Sequence, residues 1–299
     1  MSAVALLIVC PLLGMMAARW HWLPPGSQAT INAWVLRIAL PALVLSQIPR
    51  IALDTSMLAP ALAPWVVMIG ALLLIPLVGA ILKWDRRTIG AITLTCGLGN
   101  TAFVGLPLLS ALVGPHAIPA AVMADQLGSF LAFCTIGLLV AAFYAGARLR
   151  PGDIFWRIVK FPPFAALVVA LLVRPLGGWP TWASSAMEGL AQTLTPLALF
   201  AVGMQFRLGA LGDHLAPLAV AIAWKLLLAP LIFLGLAWSQ GWNGLPMQIG
   251  VLQAGMGPMI TAGILAQDHH LNPALANLVV TIGVTLSFVS VPLWWWMLN

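Results

Sequence analysis

Long runs of apolar residues recur along the whole chain, separated by short clusters of polar residues, proline and glycine. About 20 helical residues cross the roughly 30 Å hydrocarbon core of a bilayer. Runs near that length occupy about 2–18, 29–48, 58–82, 88–113 and 118–146, and then 161–176, 183–206, 214–238, 245–267 and 272–298. The pattern predicts an all-α membrane protein of about ten transmembrane helices, five in each half.

Composition favours a membrane protein over a soluble domain. Of 299 residues, 62% are hydrophobic and 7% are charged, whereas a soluble domain carries about 25% charged residues. The net charge of +6 does not indicate a nucleic-acid partner, because the thirteen lysines and arginines are dispersed along the chain. The three cysteines lie in apolar runs without a CxxC pair, so we expect no metal site.

The distribution of basic residues predicts the orientation in the membrane. Nine lysines and arginines fall in loops after odd-numbered runs, and two fall on the other side. The expected cytoplasmic set is Arg19, Lys83, Arg86, Arg87, Arg148, Arg150, Arg157, Lys160 and Arg207. With an even number of spans, both termini are then expected on the outer side of a bacterial inner membrane.

The two halves show weak self-similarity. Pro41 and Pro196 lie in similar apolar sequences 155 residues apart, and Pro119 and Pro273 open similar segments 154 residues apart. Because five spans reverse the orientation of the second half, an internal repeat must be inverted. We therefore expect a first five-helix repeat over residues 1–147, a cytoplasmic linker over 148–160, and a second, inverted repeat over 161–299.

Two predicted spans are interrupted at corresponding positions. Residues 97–107 in the fourth run and 253–261 in the ninth combine glycines, prolines and polar side chains. Irregular backbone persists in hydrocarbon only inside protein or against a water-filled cavity. The paired interruption therefore predicts a cavity where half-helix N-termini, each with about +0.5 charge, face an anionic substrate. The alternative is that the glycines only allow close packing and the prolines only kink the helices.

The fourth run also carries a motif. Residues 96–108, CGLGNTAFVGLPL, closely resemble the GNTxFxGLPL signature of the auxin efflux carrier family, and residues 257–293 resemble the family's last two helices. The resemblance covers essentially the whole chain. It implies a secondary carrier of organic anions with two inverted five-helix repeats and crossing, broken helices 4 and 9. Bacterial relatives are linked to small carboxylates such as malonate, malate or lactate, and auxin-like acids are a further substrate class that the resemblance allows.

The resemblance also implies site residues. Asn100 matches the crossover asparagine of the first repeat, with Gly99 and Thr101 beside it, and Gly257 and Pro258 match the crossover of the second repeat. Relatives often have a proline before that asparagine, or a Pro-Pro or Pro-Gln pair in the ninth span. This chain has glycine at 99 and 257 instead, which predicts a more flexible crossover.

Three ionisable residues, Arg37, Asp125 and Lys225, fall within predicted spans, where a charge near the helix centre costs about 2.5–3.5 kcal/mol. We interpret Arg37 as a candidate substrate-binding residue and Asp125 as a candidate ion-coupling residue. Arg37 or Lys225 could attract a carboxylate, and Asp125 could pair with one of them or carry a proton. The structural alternative, an ion pair or a long side chain that reaches the interface, is favoured for Lys225.

The leading functional prediction is a secondary active carrier that works by alternating access without a cofactor. The chain has no GxxxxGK[ST] loop for a nucleotide, so we expect coupling to H+, through Asp125, or to Na+. A sodium-coupled carrier of the bile-acid type is the nearest alternative. An intramembrane enzyme is disfavoured because no HExxH or GxSxG motif is present, and a non-transporting membrane protein does not explain matched interruptions. A homodimer is a further expectation.

Overall fold

The computed structural model describes residues 2–50, 55–146, 151–205 and 214–299, and these residues form helices and connecting turns without a strand. Arg148, Arg150 and Arg207, which we expect on the cytoplasmic side, lie outside the described residues. The helices in the described ranges are α1 Ser2–Arg19, α2 Ser27–Arg50, α3 Thr55–Ile81, α4 Arg86–Gly97, α5 Thr101–Leu112, α6 Pro115–Ala145, α7 Pro151–Val159, α8 Pro162–Leu176, α9 Thr181–Gln192, α10 Leu194–Met204, α11 Leu215–Ser239, α12 Gly244–Ala254, α13 Ile260–Asp268 and α14 Pro273–Met297.

Five of these helices, α2, α3, α6, α11 and α14, are long and apolar enough to cross a membrane, and α1, α5 and α8 are shorter apolar helices. Large apolar side chains stay exposed along them. On α3, Leu73, Leu77 and Ile81 are each at least 60% exposed. A continuous exposed apolar surface of this kind indicates contact with lipid. The chain is therefore an integral membrane protein.

The chain divides into two compact units. The first comprises residues 1–54, 102–122 and 156–206, and so contains α1, α2, α5, α8, α9 and α10 apart from the first residue of α5. The second comprises residues 55–101, 123–155 and 207–299, with α3, α4, most of α6, and α11 to α14. Each unit takes segments from both halves of the sequence.

In the first unit, α1 and α10 pack backbone against backbone. A Cβ atom on Gly14 would lie 2.1 Å from the carbonyl oxygen of Phe200, and one on Gly203 would lie 2.1 Å from that of Pro11. Small residues are needed wherever membrane helices approach this closely. The two glycines therefore fix the separation of α1 and α10.

The predicted seventh span, residues 183–206, contains a junction between two helices. Helix α9 ends at Gln192 and α10 begins at Leu194. Pro196 has no N–H to donate to the carbonyl of Gln192, which a continuous helix requires. Thr193 holds the junction, because its hydroxyl donates to Leu190 O at 2.7 Å and accepts from Trp34 Nε1 at 2.9 Å.

The packing of α1 on α10 gives a stability prediction. We expect Gly203→Ala to destabilise the protein by at least about 1–3 kcal/mol, because the added methyl group cannot enter without separating the two backbones. The matched control is Gly235→Ala on α11, where a Cβ atom meets nothing within 4 Å. Thermal unfolding in detergent, followed by size-exclusion chromatography, measures both. Equal unfolding temperatures for the two variants would contradict the close approach.

Candidate functional site

Both predicted interruptions are present as breaks in the helices of the second unit. After α4 ends at Gly97, Leu98 is extended (φ −121°, ψ 132°), and helical structure resumes at Thr101. After α12 ends at Ala254, α13 begins only at Ile260. Each break is thus a few residues of non-helical backbone between two half-helices.

The two broken segments pair with each other. Two backbone hydrogen bonds join them, from Asn100 N to Gly257 O at 2.7 Å and from Met259 N to Leu98 O at 2.9 Å. Gly99 and Pro258 form an antiparallel bridge between these bonds. The pairing satisfies backbone groups that would otherwise be exposed in hydrocarbon, where each unsatisfied group costs several kcal/mol. We call the segments 98–100 and 257–259 the crossing.

Tight packing by α14 explains the glycine at position 257. A Cβ atom on Gly257 would lie 2.7 Å from Val284 Cα and 2.8 Å from Ser287 Oγ. On α14 itself, a Cβ atom on Gly283 would lie 2.4 Å from Pro258 Cδ. The break in the ninth span therefore requires a glycine on each side of this contact. Gly257 leaves space for α14, and Gly283 on α14 leaves space for Pro258.

Lys225 of α11 reaches the crossing. Its side chain is 1% exposed, and its ammonium group donates to Ala254 O at 2.7 Å. Ala254 is the last residue of α12, where free carbonyl groups carry a partial charge of about −0.5. The ammonium nitrogen also lies 3.2 Å from the position that a Cβ atom on Gly99 would occupy. The glycine at 99 thus leaves room for Lys225.

Asp125 of α6 is hydrogen-bonded to Thr101, the residue that follows the first segment of the crossing. Its carboxylate is buried and accepts two hydrogen bonds, from Thr101 Oγ1 at 2.5 Å and from Gln126 Nε2 at 2.7 Å. Thr101 is the first residue of α5 and follows Asn100 directly. The carboxylate is therefore coupled to the backbone break through one hydroxyl group.

Several buried polar atoms around the crossing have no hydrogen-bond partner in the described part of the chain. They include Asn100 Nδ2, both side-chain polar atoms of Gln253, Gln126 Oε1 and Ser129 Oγ. Native proteins satisfy about 90% or more of such groups, so a local concentration of exceptions points to a bound water, ion or ligand. The amides of Asn100 and Gln253 offer both donors and acceptors to such a ligand.

The ionisable residues within the spans lie in π-helical turns, and so does Thr101. The turns are Val35–Ala39 with Arg37, Thr101–Gly105, Ala124–Phe130 with Asp125, and Trp224–Leu228 with Lys225. A π-helical turn contains one more residue than an α-helical turn and is frequent at functional sites. The three charged residues within the spans thus all lie in π-helical turns, although a further such turn, Phe133–Gly137, contains no charged residue.

The structure brings together most of the predicted site residues. Gly99, Asn100, Thr101, Gly257, Pro258 and Asp125 all lie at or next to the crossing. Arg37 belongs to α2 of the first unit, and its side chain is exposed. Lys225 and Gln253 also lie at the crossing; the sequence analysis favoured a structural role for Lys225 and did not single out Gln253. In the sequence, both residues are recognisable as an ionisable or amide side chain within an apolar span. The sequence does not show what these side chains contact.

The described residues contain no group of three or more His, Cys, Asp or Glu side chains that could hold a metal ion. The site instead combines two backbone breaks with an ammonium group, a carboxylate and unpaired amides inside an integral membrane protein. Broken helices of this kind are typical of secondary transporters. A family model described as "Membrane transport protein" matches residues 1–295. The chain belongs to this family, which confirms the resemblance to the auxin efflux carriers.

Curated relatives agree with a membrane transporter. An "Uncharacterized transporter" of Methanothermobacter thermautotrophicus is 27% identical over 302 residues, which cover 98% of this chain and 96% of the relative. An uncharacterized transporter of Methanocaldococcus jannaschii is 22% identical over 306 residues, or 100% and 98% of the two chains. A protein of Rhizobium meliloti named "Putative malonate transporter" is 25% identical over 297 residues, or 93% and 89%.

The packing of α14 on the crossing predicts a sensitive position. We expect Gly257→Ala to lower the thermal stability of the protein by several degrees, because the new methyl group overlaps the Val284 backbone and forces the paired segments apart. Gly189→Ala on α9, where a Cβ atom meets nothing within 4 Å, is the matched control. The same unfolding assay in detergent checks both. A Gly257→Ala protein as stable as the control would show that the crossing has space on this side.

Proposed function

We propose that the chain is a secondary active carrier that moves small organic anions across a bacterial inner membrane by alternating access. The observation that carries this proposal is the pairing of two broken segments beside buried amide groups, of which Asn100 Nδ2 and both side-chain polar atoms of Gln253 have no partner among the described residues. A solute inside the membrane needs such polar groups, and a ligand that pairs with them removes the cost of burying them unpaired.

The chemistry of the crossing favours an anion. The half-helices α5 and α13 both begin there, and helix N-termini attract negative charge. The ammonium group of Lys225 and the amide of Asn100 add hydrogen-bond donors. A carboxylate takes hydrogen bonds from all of these groups. Together with the malonate named for the Rhizobium meliloti relative, this supports malonate, malate or lactate as substrates.

The composition of the two units supports an inverted repeat. Counted along the sequence, the first unit holds spans one, two, six and seven, and the second holds spans three, five, eight, nine and ten with the first half of span four. Apart from the second half of span four, each unit thus contains complete pairs of spans that the repeat relates. Within the first unit, α1 packs on α10 and α8 packs on α2. The proposed repeat relates α1 to α8 and α2 to α10, so these two contacts are equivalent to each other.

We therefore propose ten spans in two inverted five-helix repeats, residues 1–147 and 161–299, joined by a cytoplasmic linker at 148–160. Both termini then lie on the outer side. The two compact units supply the two bodies that alternating access requires. Asn100, Thr101, Gly99, Gly257 and Pro258 form the substrate site in this proposal, and the carrier assembles as a homodimer.

The remaining candidate residues take supporting roles in the proposal. Arg37, exposed on α2, attracts the anion on its route through the membrane. Asp125, the buried carboxylate that Thr101 links to the crossing, couples transport to an ion. A proton is the favoured ion because a carboxylate can carry it alone, and sodium is the alternative.

Uptake into proteoliposomes tests this function. Radiolabelled malonate, malate and lactate are offered under an imposed proton gradient or an imposed sodium gradient. We expect gradient-driven accumulation by the wild type and at least about tenfold slower uptake by Asn100→Ala, since one buried hydrogen-bond donor to a charged ligand is lost. Asn243→Ala, at an exposed position before α12, should transport like the wild type.

Each other result has a definite meaning. Accumulation driven only by sodium would favour a carrier of the bile-acid type. Normal uptake by Asn100→Ala would place the substrate site away from the crossing. No accumulation of any of these carboxylates by the wild type would contradict a carrier for small organic anions.

A further inference from the structure

Lys225 is a buried amine with no anion beside it among the described residues. Its ammonium group has three donors, of which Ala254 O accepts one. No carboxylate lies within ion-pair distance of it in the described ranges, where the ion pair present joins Arg50 and Glu188. A buried charge without a partner is strongly unfavourable. Lys225 is therefore poised to receive a negative charge from a ligand.

The helix ends at the crossing compensate for Lys225 only in part, through Ala254 O at the C-terminus of α12. The C-termini of α4 and α12 each contribute about −0.5 charge, and the N-termini of α5 and α13 each contribute about +0.5. These four contributions cancel. The net charge of the site is then set by two side chains, Lys225 and Asp125. It is about zero while Asp125 is ionised, and about +1 when Asp125 is protonated.

The two side chains act on the same small volume without touching. Lys225 Nζ lies 3.2 Å and Thr101 Cγ2 lies 3.5 Å from one point, the Cβ position of Gly99. Thr101 in turn donates to Asp125 Oδ1. An anion beside Gly99 would therefore experience both the ammonium group and the charge state of the carboxylate.

Few other ionisable side chains occur on helices α3, α4, α6 and α11 to α14, which belong wholly or mostly to the second unit. Helices α3, α12 and α14 contain no ionisable side chain, and Lys225 is the one on α11. Helix α4 carries Arg86 and Arg87 at its first turn and Cys96 near its end, and α13 carries Asp268 at its last residue. On α6 itself, His116 and Tyr144 lie near the two ends, and Cys134 lies nine residues beyond Asp125.

We propose that Lys225 is the counter-charge of the substrate carboxylate and that the site accepts this carboxylate only while Asp125 is protonated. One proton on Asp125 then enters the site with each monocarboxylate, and leaves with it after the carrier has turned to the other side. The inference rests on the proposed function and specifies its coupling: a proton and a monocarboxylate move together, so that their charges balance and no net charge crosses the membrane.

Binding of lactate to the purified protein in detergent tests the inference, because lactate stays ionised throughout the neutral pH range. The shift of the unfolding temperature with lactate concentration gives an apparent affinity at each pH. For the wild type, rising pH removes the proton from Asp125, and we expect the affinity to fall, approaching tenfold for each pH unit. Asp125→Asn, a neutral mimic of the protonated acid, should bind with an affinity that changes less with pH than that of the wild type, because the protonation of Lys225 is then the one remaining contribution from these two groups.

Lys225→Met should bind lactate at least about tenfold more weakly at every pH, which is the loss expected for one charge-assisted hydrogen bond. Lys225→Arg, which keeps the charge, should retain part of the affinity. Lys83→Met and Asp268→Asn, at exposed positions, are matched controls and should behave like the wild type. If Lys225→Met does not fold, the pH profile of Asp125→Asn still decides.

The inference is overturned by equal lactate affinity in Lys225→Met and wild type, or by the same pH dependence in Asp125→Asn and wild type. In both cases the wild type binds lactate, so the proposed carrier function survives. If instead lactate, malonate and malate all leave the unfolding temperature of the wild type unchanged at every pH, the proposed function itself fails, and the inference fails with it.

Discussion

The architecture of the second unit depends on one constraint: backbone N–H and C=O groups exposed in hydrocarbon must find partners. Two helices, α4 and α12, end within apolar spans, and the released backbone at each break is satisfied by the other break. The hydrogen bonds from Asn100 N to Gly257 O and from Met259 N to Leu98 O do this. Neither break would be tolerable alone, which explains why both occur, and why glycine and proline are needed where the segments meet α14.

The breaks also position the chemistry of the site. Four helix ends, two buried amides, an ammonium group and a carboxylate converge on a few residues of extended backbone. Glycine at 99 admits the ammonium group of Lys225, and Thr101 connects the break to Asp125. The two breaks in the helices thus place polar groups at the centre of an apolar protein. There, a charged solute can replace the hydrogen bonds that it makes to water with hydrogen bonds to the protein.

The sequence predicted the breaks because glycine and proline at membrane depth disrupt a helix in a recognisable way, and the GNTxFxGLPL motif predicted the family. It did not predict the break at Thr193, because threonine is no strong helix breaker and Pro196, which removes the hydrogen bond, looked like an ordinary kink. The π-helical turns were also missed, since one extra residue hardly changes an apolar run. The surroundings of Lys225 were not predicted, because its position in a span does not show that it faces Ala254, whereas Arg37, with the same signal, is exposed.

An experimental structure determined with saturating malonate tests the central claim most directly, because it shows where the anion binds. The account predicts density for a carboxylate group at the crossing, within hydrogen-bond distance of Lys225 Nζ and of the amide of Asn100 or Gln253. Carboxylate density elsewhere in the membrane-spanning part, with the polar atoms at the crossing still unpaired or bound only to water, would contradict it.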